Sequence, residues 1–403
     1  MEYLINEDVI LVTGAVNGAI YSFGDKKVYK VNKAGLNIIC KYIDGQVTIK
    51  EEEYLRHLLK LKLLSESFIP RKHISRNMDN PPKIEMAWLE ITEGCNLRCI
   101  HCYEGEIHKK FNDSISLSKW ESTIDELIEL GAKRLIIIGG EPCCCSFVKQ
   151  IVSYCGKKGI DTTFFTNATL IDDELINIFK KYSIKVKISI YGGSAKVHDA
   201  VTSISGSFEK LENNIIKMNK LGVKMYASVI LMKENQYELN NIISFVKKNK
   251  IVYSGYDVIR NVYGGGQSCH APDRHDVINA KYRDKPNFTA DKKRFEANHH
   301  CNSCWFGKIA IQENGNVLPC VFQRDILLGS IKEKTIKEII NDEPCKKCWY
   351  LSYDFIVACK ECEYRYACKD CRVIGLAEKG NMFEKNPRCL YNPMTGIWEK
   401  NPG

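Results

Sequence analysis

The feature that most constrains the fold is a regular alternation of strand-like and helix-like segments in the middle of the chain. Six short runs rich in β-branched and aromatic residues are separated there by amphipathic helical stretches. The runs are EMAWLEIT, RLIIIGG, DTTFFTN, KVKISIYG, VKMYASVILM and YSGYDVIR. Strands that alternate with helices form parallel sheets, so this region predicts an α/β fold, either open or curled into a partial barrel. Its active site is expected at the carboxyl ends of the strands.

Two other regions flank this central domain, which spans residues 84–263. Residues 1–75 contain three strand-like runs, DVILVTG, AIYSFG and KVYKVN, followed by helical periodicity, and they predict a small winged-helix-like module. The polar segment ISRNMDNPPK then predicts a linker. Residues 264–297 break the pattern and form a connection, and residues 298–403 are rich in cysteine. That last region is expected to fold around metal rather than around a large apolar core.

Composition narrows the cellular setting. A chain of 403 residues with 44% hydrophobic content indicates a globular protein of two or three domains. The sequence shows neither a signal-like start nor an apolar run of membrane-spanning length, so a cytoplasmic protein without a membrane partner is expected. In that reducing setting, the 19 cysteines predict metal ligation, catalysis or buried thiols rather than disulfides. The net charge of +9 is scattered over helical stretches, which argues against a nucleic-acid partner.

Three cysteines stand close together in EGCNLRCIHCYEG, directly after the first strand-like run: Cys95, Cys99 and Cys102. A [4Fe–4S] cluster normally takes four thiolates, so three local ligands would leave one iron open to a small molecule. S-adenosylmethionine (SAM) can bind an open iron through its amine and carboxylate. The alternatives are a zinc site that lacks its last ligand, although three-ligand zinc favours His and carboxylate, or simply buried thiols.

The stretch CNLRCIHCY resembles the Cx3Cx2C signature of radical SAM enzymes, including His101 and Tyr103. Later segments resemble motifs of the same family in the same order. They are GGEP (Gly139, Gly140, Glu141, Pro142), TNATL (Thr166, Asn167), SIYGG (Ser189) and HDAVTSISGSF (His198, Asp199, Gly206, Ser207, Phe208).

The resemblance implies a partial (β/α)6 TIM-like barrel and a set of cofactor-binding positions. The cluster would be held by the three cysteines, and the SAM amino group by the backbone of GGEP. Tyr103, Thr166, Asn167 and Ser189 are implied as further cofactor-binding positions. It also implies reductive cleavage of SAM to a 5′-deoxyadenosyl radical that abstracts hydrogen from the substrate, with electrons from a flavodoxin or ferredoxin-type reductant.

The cysteines after residue 298 are numerous enough for two further clusters. Eight thiols divide into two sets of four, and a hairpin at ENGN would bring Cys304 and Cys320 together. Paired CxxC units also suit a zinc ribbon. The order resembles the SPASM domain of a subset of radical SAM enzymes. That resemblance implies a first auxiliary cluster on Cys301, Cys304, Cys320 and Cys371, and a second on Cys359, Cys362, Cys368 and Cys389.

Two features depart from the SPASM pattern. Cys368 and Cys371 are separated by two residues where the family usually has three, and Cys301 is a ligand that family members do not share consistently. The other cysteines are expected to have structural roles. Cys143 to Cys145 are expected to be small buried residues, with a redox role as the alternative; Cys345 and Cys348 to be structural, with rival ligation as the alternative; and Cys40 and Cys155 to be helix core. Cys269 lies in the connection.

The segment VYKVNKAGLNIICKYIDG resembles the core of PqqD-like leader-recognition domains. These modules bind the leader of a ribosomally made peptide as an added β-strand. A winged-helix DNA binder is the alternative, but the module lacks a concentrated basic helix.

Together these resemblances predict a radical SAM peptide maturase with three [4Fe–4S] clusters that forms a thioether in a precursor peptide bound by its leader. The alternatives are carbon–carbon cross-linking, epimerisation and formylglycine formation, and more remotely a non-catalytic iron–sulfur scaffold or electron carrier. The sequence leaves open the peptide, the bond, its stereochemistry and the oligomeric state.

Overall fold

The computed structural model describes residues 1–74, 83–104, 114–260, 262, 268–274 and 288–399. The chain divides into two compact units. The first joins Met1–Asn80 with Tyr282–Phe306 and Trp349–Gly403, and the second joins Pro81–Lys281 with Gly307–Cys348. Most of the predicted linker lies outside the described residues. No helix in the described segments is long and apolar enough to cross a membrane.

An antiparallel sheet of five strands begins the first unit. The strands are β1 (Glu2–Asn6), β2 (Val9–Thr13), β3 (Gly18–Ser22), β4 (Lys27–Val31) and β5 (Arg71–Lys72), in the order β4-β3-β2-β1-β5. Two helices follow β4, α1 (Lys33–Ile43) and α2 (Glu53–Lys60). The three predicted strands correspond to β2, β3 and β4, whereas β1 and the short β5 were not predicted. Asn32 caps α1 because its side chain accepts a hydrogen bond from the backbone N–H of Gly35.

The central region contains the six predicted strands. They are β6 (Met86–Glu90), β7 (Arg134–Ile138), β8 (Asp161–Thr166), β9 (Lys185–Ile190), β10 (Met225–Leu231) and β11 (Tyr256–Val258). The helices between them are α3 (Leu117–Glu129), α4 (Val148–Lys158), α5 (Asp173–Lys181), α6 (Ala195–Thr202), α7 (Ser207–Lys220) and α8 (Leu239–Lys248). All neighbouring pairs from β6 to β11 are parallel.

The remaining helices and strands begin with α9 at the end of the predicted connection and continue through the cysteine-rich part of the chain. They are α9 (Lys292–His300), β12 (Lys308–Gln312), β13 (Asn316–Leu318), β14 (Gly329–Ser330), α10 (Ile336–Asn341), α11 (Glu343–Trp349), α12 (Arg372–Lys379), β15 (Tyr391–Asn392) and β16 (Ile397–Trp398). The predicted hairpin is confirmed, since β12 and β13 pair as antiparallel strands. Gly315 supplies the positive φ of +92° that the turn requires.

Strand β12 joins the sheet of the central domain. It pairs in parallel with β6, with Met86 opposite Lys308 and Glu90 opposite Gln312. The sheet therefore has nine strands in the order β11-β10-β9-β8-β7-β6-β12-β13-β14. This pairing explains why residues 307–348 belong to the second unit, where the sequence led us to expect a separate domain from residue 298.

The sheet of the second unit is curled at its carboxyl end. Arg260, two residues after β11, lies over the ring of Phe322, which follows β13 near the other edge, at 4.8 Å from the ring centroid. Residues that follow strands at opposite sides of the sheet can meet only if the sheet bends back on itself. The carboxyl ends of its strands therefore surround a common space.

The N-terminal sheet packs on the end of the chain within the first unit. One core cluster combines Ile10, Val12, Ala19 and Tyr21 with later residues, including Ala290, Phe295, Tyr364, Tyr366 and Tyr391. The other face of the sheet packs on α1 and α2 through a separate cluster that includes Ile20, Leu36 and Leu55. Alternation along the strands thus buries both faces of this small sheet.

Candidate functional site

The two faces of the nine-stranded sheet differ in burial, which alternates from residue to residue along the strands. Aliphatic residues such as Ile137, Val186 and Ile188 are fully buried. The alternate positions of the same sheet are only partly buried and include polar side chains, among them Lys187, Ser189 and Ser228. Polar groups on one face of a parallel sheet, near its carboxyl ends, are typical of a substrate or cofactor site.

The three predicted cluster ligands lie together in the loop after β6. Burial raises the pKa of the Cys95 thiol to about 12. Burial also raises the pKa of Cys99, and the nearby thiolates of Cys95 and Cys102 add to that effect. The backbone N–H of Cys102 donates to the carbonyl of Cys99 over 3.1 Å. Three adjacent thiols that are costly to ionise alone fit a cationic iron centre, which would hold them as thiolates.

The GGEP segment after β7 lies against the start of this loop. The N–H of Gly140 donates to the Thr92 carbonyl at 2.9 Å, and the N–H of Glu141 donates to the Gly94 carbonyl at 2.8 Å. A Cβ on Gly140 would come within 2.7 Å of the Glu93 carbonyl and would also clash with that of Gly94. Glycine is therefore required here by the close approach of two backbones.

The carboxylate of Glu141 organises the loop rather than facing a free cavity. It is fully buried and accepts hydrogen bonds from the Thr166 hydroxyl (2.8 Å), the Asn167 N–H (2.7 Å) and the Cys143 N–H (3.2 Å). Burial raises its pKa, and these hydrogen bonds oppose the shift. Glu141 and Thr166 are therefore positioning residues that join the end of β8 to the GGEP loop.

The network continues into the cysteine loop through two asparagines. Asn167 donates from Nδ2 to Oδ1 of Asn96 at 2.9 Å, and Asn96 donates to the hydroxyl of Thr169 at 2.8 Å. The predicted segments at the ends of β7 and β8 are thus connected to the loop of Cys95 by side-chain hydrogen bonds. The structure brings Gly139 to Pro142, Thr166 and Asn167 together around that loop.

The segment from His198 to Phe208 supports the cysteine loop from α6 and α7. The backbone N–H groups of Arg98 and Ile100 donate to the carbonyls of Thr202 and Val201, both at 3.0 Å. Asp199 accepts from the N–H groups of Gly206 and Phe208 and from the Ser207 hydroxyl, at 2.7–2.8 Å, and so closes the turn before α7. The roles of these residues are structural.

Two histidines, the partly buried His101 and the fully buried His198, flank Tyr191, which follows the β9 position Ser189. The ring of His101 meets it edge-on at 4.5 Å, and that of His198 lies 5.7 Å away. Burial lowers the pKa of each histidine to about 4, so both are neutral near pH 7. Nδ1 of His198 accepts from the Tyr191 N–H at 3.3 Å. The rings of Tyr191 and the two histidines are therefore uncharged, and Tyr191 lies beside the thiols.

A charged group at the end of β6 was not predicted. Arg324 donates from Nη2 to Glu90 at 2.7 Å and to Glu104 at 3.3 Å, and the three side chains are at most 10% exposed. The hydroxyl of Tyr103 lies 3.5 Å from the same Glu90 oxygen. A sequence signal for this group is Glu90 itself, a carboxylate at the last position of the otherwise apolar strand β6.

The second set of predicted auxiliary ligands lies together within the first unit. Burial raises the pKa of Cys359, and Cys368 and Cys389 contribute to the shift. Burial likewise raises the pKa of Cys362, with contributions from Cys359 and Cys368. The four thiols Cys359, Cys362, Cys368 and Cys389 are therefore neighbours, as a cluster would require.

The first set is only partly assembled within a single unit. The Cys304 sulfur accepts a hydrogen bond of 3.4 Å from the N–H of Arg372, the residue after Cys371, so these two cysteines are close. The Cys301 thiol instead donates to the Ala297 carbonyl at 3.0 Å. Cys320 belongs to the second unit and follows β13.

The remaining cysteines largely match their structural interpretations. Cys345 and Cys348 are buried in α11, and burial raises the pKa of Cys348 to about 12. Cys155 is buried in α4, and Cys40 packs against the N-terminal core. Cys145 is buried, whereas Cys143 and Cys144 are only partly so, and Cys269 is exposed.

In the described residues, no group of three or more His, Cys, Asp or Glu side chains is close enough to hold a single metal ion. Two segments of the chain match family models that bear on the kind of metal centre. Residues 89–246 match the Radical SAM superfamily, and residues 301–372 match SPASM, an iron–sulfur cluster-binding domain.

Similar proteins include enzymes of different activity. An AdoMet-dependent heme synthase of Methanosarcina barkeri is 24% identical over 78% of this chain and 98% of its own length. The subtilosin biosynthesis protein AlbA of Bacillus subtilis is 24% identical over 76% of this chain and 70% of its own. The crystal structure of Streptococcus suis SuiB bound to its precursor peptide SuiA shares the fold over 96% of this chain and 99% of SuiB, with a TM-score of 0.59 at 16% identity.

The radical SAM match covers the cysteine loop and the GGEP segment, and the SPASM match covers most of the cysteines after residue 298. The chain carries a radical SAM domain followed by a SPASM iron–sulfur domain.

Proposed function

We propose that the protein is a radical SAM peptide maturase that installs a thioether cross-link in a ribosomally made precursor peptide. The observation that carries this proposal is the extent of the shared fold. The alignment with the heme synthase covers 98% of that enzyme but only 78% of this chain. About a fifth of this chain therefore has no counterpart in the heme synthase. The fold of the peptide-bound enzyme SuiB extends over 96%. AlbA, named for bacteriocin biosynthesis, supports a peptide substrate.

In this proposal residues 1–75 are the leader-recognition domain. Strand β4 is an edge of the five-stranded sheet and carries the exposed Lys27 and Lys30. One end of this edge is occupied, since Lys27 forms an antiparallel bridge with Thr289. The rest of β4 could receive a leader segment as an added strand, with main-chain hydrogen bonds supplying the affinity.

The catalytic cluster is assigned to Cys95, Cys99 and Cys102, and SAM to the GGEP loop with Tyr103, Asn167 and Ser189. When bound, this pair supplies the 5′-deoxyadenosyl radical that abstracts hydrogen from the peptide. The chain itself holds the loops in register through Glu141 and Thr166. Tyr191, His101 and His198 place uncharged rings beside the partly exposed thiols and reduce the polar surface around them.

Two auxiliary [4Fe–4S] clusters complete the assignment, one on Cys359, Cys362, Cys368 and Cys389 and one on Cys304, Cys320 and Cys371 with Cys301. In the second-listed set, the Cys301 thiol donates a hydrogen bond to the Ala297 carbonyl. Within the first-listed set, the buried Arg372 lowers the pKa of Cys359 against the larger effect of burial. Its positive charge suits a cluster that carries net negative charge.

The test is anaerobic turnover with SAM, reductant and a candidate cysteine-containing peptide chosen from the open reading frames beside the gene. A thioether makes the product lighter by about two mass units and leaves one cysteine unreactive to alkylation, with 5′-deoxyadenosine formed alongside. The same mass loss with every cysteine alkylated would support a carbon–carbon link instead. Unchanged mass with solvent deuterium in the peptide would identify an epimerase, and turnover of a porphyrin but not the peptide would favour the activity named for the heme synthases.

A further inference from the structure

The Glu90–Arg324–Glu104 group occupies the carboxyl end of the curled sheet but has no role in the cofactor assignment. Glu90 is the last residue of β6 and lies between β7 and β12, with Ile138 and Gln312 as its paired neighbours. It is 3% exposed. A strand end in the middle of a parallel sheet is where substrate-contacting side chains of such folds are found.

The carboxylate of Glu90 lies in a buried ion pair and close to a second carboxylate. It accepts a hydrogen bond from Arg324, which also contacts Glu104, and all three side chains are buried. Burial and a neighbouring carboxylate both favour the protonated form of a carboxyl group. Consistent with this, burial raises the pKa of Glu90 to about 7, with Arg324 opposing the shift and Glu104 adding to it.

The surroundings hold Arg324 rigidly. Its guanidinium lies over the ring of Tyr103 at 5.3 Å, and that ring packs edge-on against Phe322 at 5.2 Å. The titratable and charged groups that face Glu90 are Tyr103 and Glu104 from the segment after the cysteine loop and Arg324 after β13; Gln312 on β12 adds a neutral hydrogen bond. Nε of Arg324 is buried and has no hydrogen-bond partner within the described ranges.

We propose that Glu90, oriented by Arg324, accepts the proton that the substrate releases when it is oxidised at the carboxyl end of the sheet. The inference rests on the proposed function and names the proton acceptor for it. After hydrogen abstraction leaves a carbon radical, a carbon–sulfur bond forms and the S–H bond of the peptide thiol breaks. The thiol proton passes to the Glu90 carboxylate, and the remaining electron goes to an oxidised iron–sulfur acceptor.

The test compares Glu90→Gln with Glu85→Gln, which makes the same change at an exposed position just before the same strand. Product formed per 5′-deoxyadenosine should fall at least about tenfold in E90Q and stay unchanged in E85Q. Wild-type product formation should rise as the pH passes through about 7, because the carboxylate must be ionised, and E90Q should lose that dependence. Iron content and SAM cleavage should match wild type, which separates this effect from misfolding.

A second readout does not use turnover. Difference infrared spectra of the wild-type protein should show a protonated carboxyl that ionises near neutral pH, and E90Q should lack it. Arg324→Lys keeps the charge and should shift that titration. An E90Q enzyme with wild-type product yield and pH profile would overturn the proposal, as would a spectrum without the titrating carboxyl. A wild-type enzyme that cleaves SAM but changes no peptide would refute the proposed function, while the infrared titration would still test the proton site.

Discussion

The phenol of Tyr21, in the N-terminal sheet, donates a hydrogen bond of 2.9 Å to the backbone carbonyl of Glu363, which lies between Cys362 and Cys368. Further bonds join the same two segments. The Ala15 N–H donates to the Glu361 carbonyl at 2.9 Å, and Arg365 donates to the Thr13 carbonyl at 3.2 Å. The N-terminal sheet thus packs directly against the segment that carries Cys359, Cys362 and Cys368. This contact is separate from any role of the sheet in leader recognition.

Deletion of residues 1–74 should therefore affect more than peptide binding. We expect the truncated protein to lose about four of the roughly 12 irons of a three-cluster enzyme, because the Cys359–Cys368 segment loses its packing partner. Iron analysis and EPR of the reduced protein measure this. The matched control is Lys30→Glu on the exposed edge of β4, which should weaken peptide binding and keep the iron. Full iron content after truncation would show that the contact is dispensable.

A milder change should report on the same contact. Tyr21→Phe removes one buried donor and leaves the Glu363 carbonyl unpaired, which should lower the free energy of unfolding by about 1–3 kcal/mol. Tyr29→Phe removes an exposed hydroxyl 3.4 Å from Asp25 and should cost much less. Urea unfolding under anaerobic conditions compares the two, and equal effects would contradict the assignment.

Gly140→Ala should disable the SAM site without removing a polar group. The added methyl would press on the carbonyls of Glu93 and Gly94, so the GGEP and cysteine loops must separate. Overpacking of this kind costs about 1–3 kcal/mol, and SAM affinity should fall accordingly by about tenfold or more. The control is Gly24→Ala, where nothing lies within 4 Å of the new methyl. SAM binding followed by EPR decides the matter; a normal affinity in G140A would be inconsistent with the described loop contact.

His198 should make stability depend on pH below neutrality. Its pKa in the folded protein is about 4, against an ordinary value of 6.5, because burial disfavours the charged ring. The unfolded chain therefore binds a proton first as the pH falls. This contribution is complete above pH 6.5 and declines towards pH 4, amounting to about 2 kcal/mol between pH 7 and 5. Urea midpoints at the two pH values should differ less for His198→Gln than for wild type, whereas the exposed His57→Gln should behave as wild type.

The buried pair Cys345 and Cys348 should not ligate iron. Replacing both with serine should preserve the iron content and lower stability, because each hydroxyl would be buried in α11 without the packing of sulfur. Replacing Cys359 and Cys362 in the same way should remove about four irons. Iron loss in the first variant would reassign the auxiliary ligands.

Local patterns predicted much of the fold. The six strands β6 to β11 were evident because apolar runs of that length alternate with amphipathic helices. Helix boundaries are harder to predict. Helix α3 begins at Leu117, and its N-cap is Ser116 rather than the neighbouring Ser118. A capping box forms instead at Thr335 and Glu338, at the start of α10. Cap chemistry is shared by many serines and threonines, and only the backbone angles distinguish them.

The features that could not be predicted are non-local. KIAIQ is recognisable as a strand, but its pairing with β6 depends on contacts far apart in the chain. The same holds for Arg324, whose partners Glu90 and Glu104 lie more than 200 residues earlier in the chain. Motif reasoning found the cysteine loop and GGEP because their chemistry is local. It missed the charged group beside them because the residues of an ion pair between distant segments have no fixed separation in the sequence.

The position of β12 beside β6 also has a consequence for biosynthesis. Met86 pairs with Lys308, so during synthesis one edge of β6 stays open until residue 308, about three quarters of the way along the 403 residues, has been made. An unpaired hydrophobic strand edge is prone to aggregation, and such long-range pairing is slow. The nascent domain is therefore expected to depend on chaperones until β12 has emerged and paired, and cluster insertion on the loop after β6 is expected to follow that pairing.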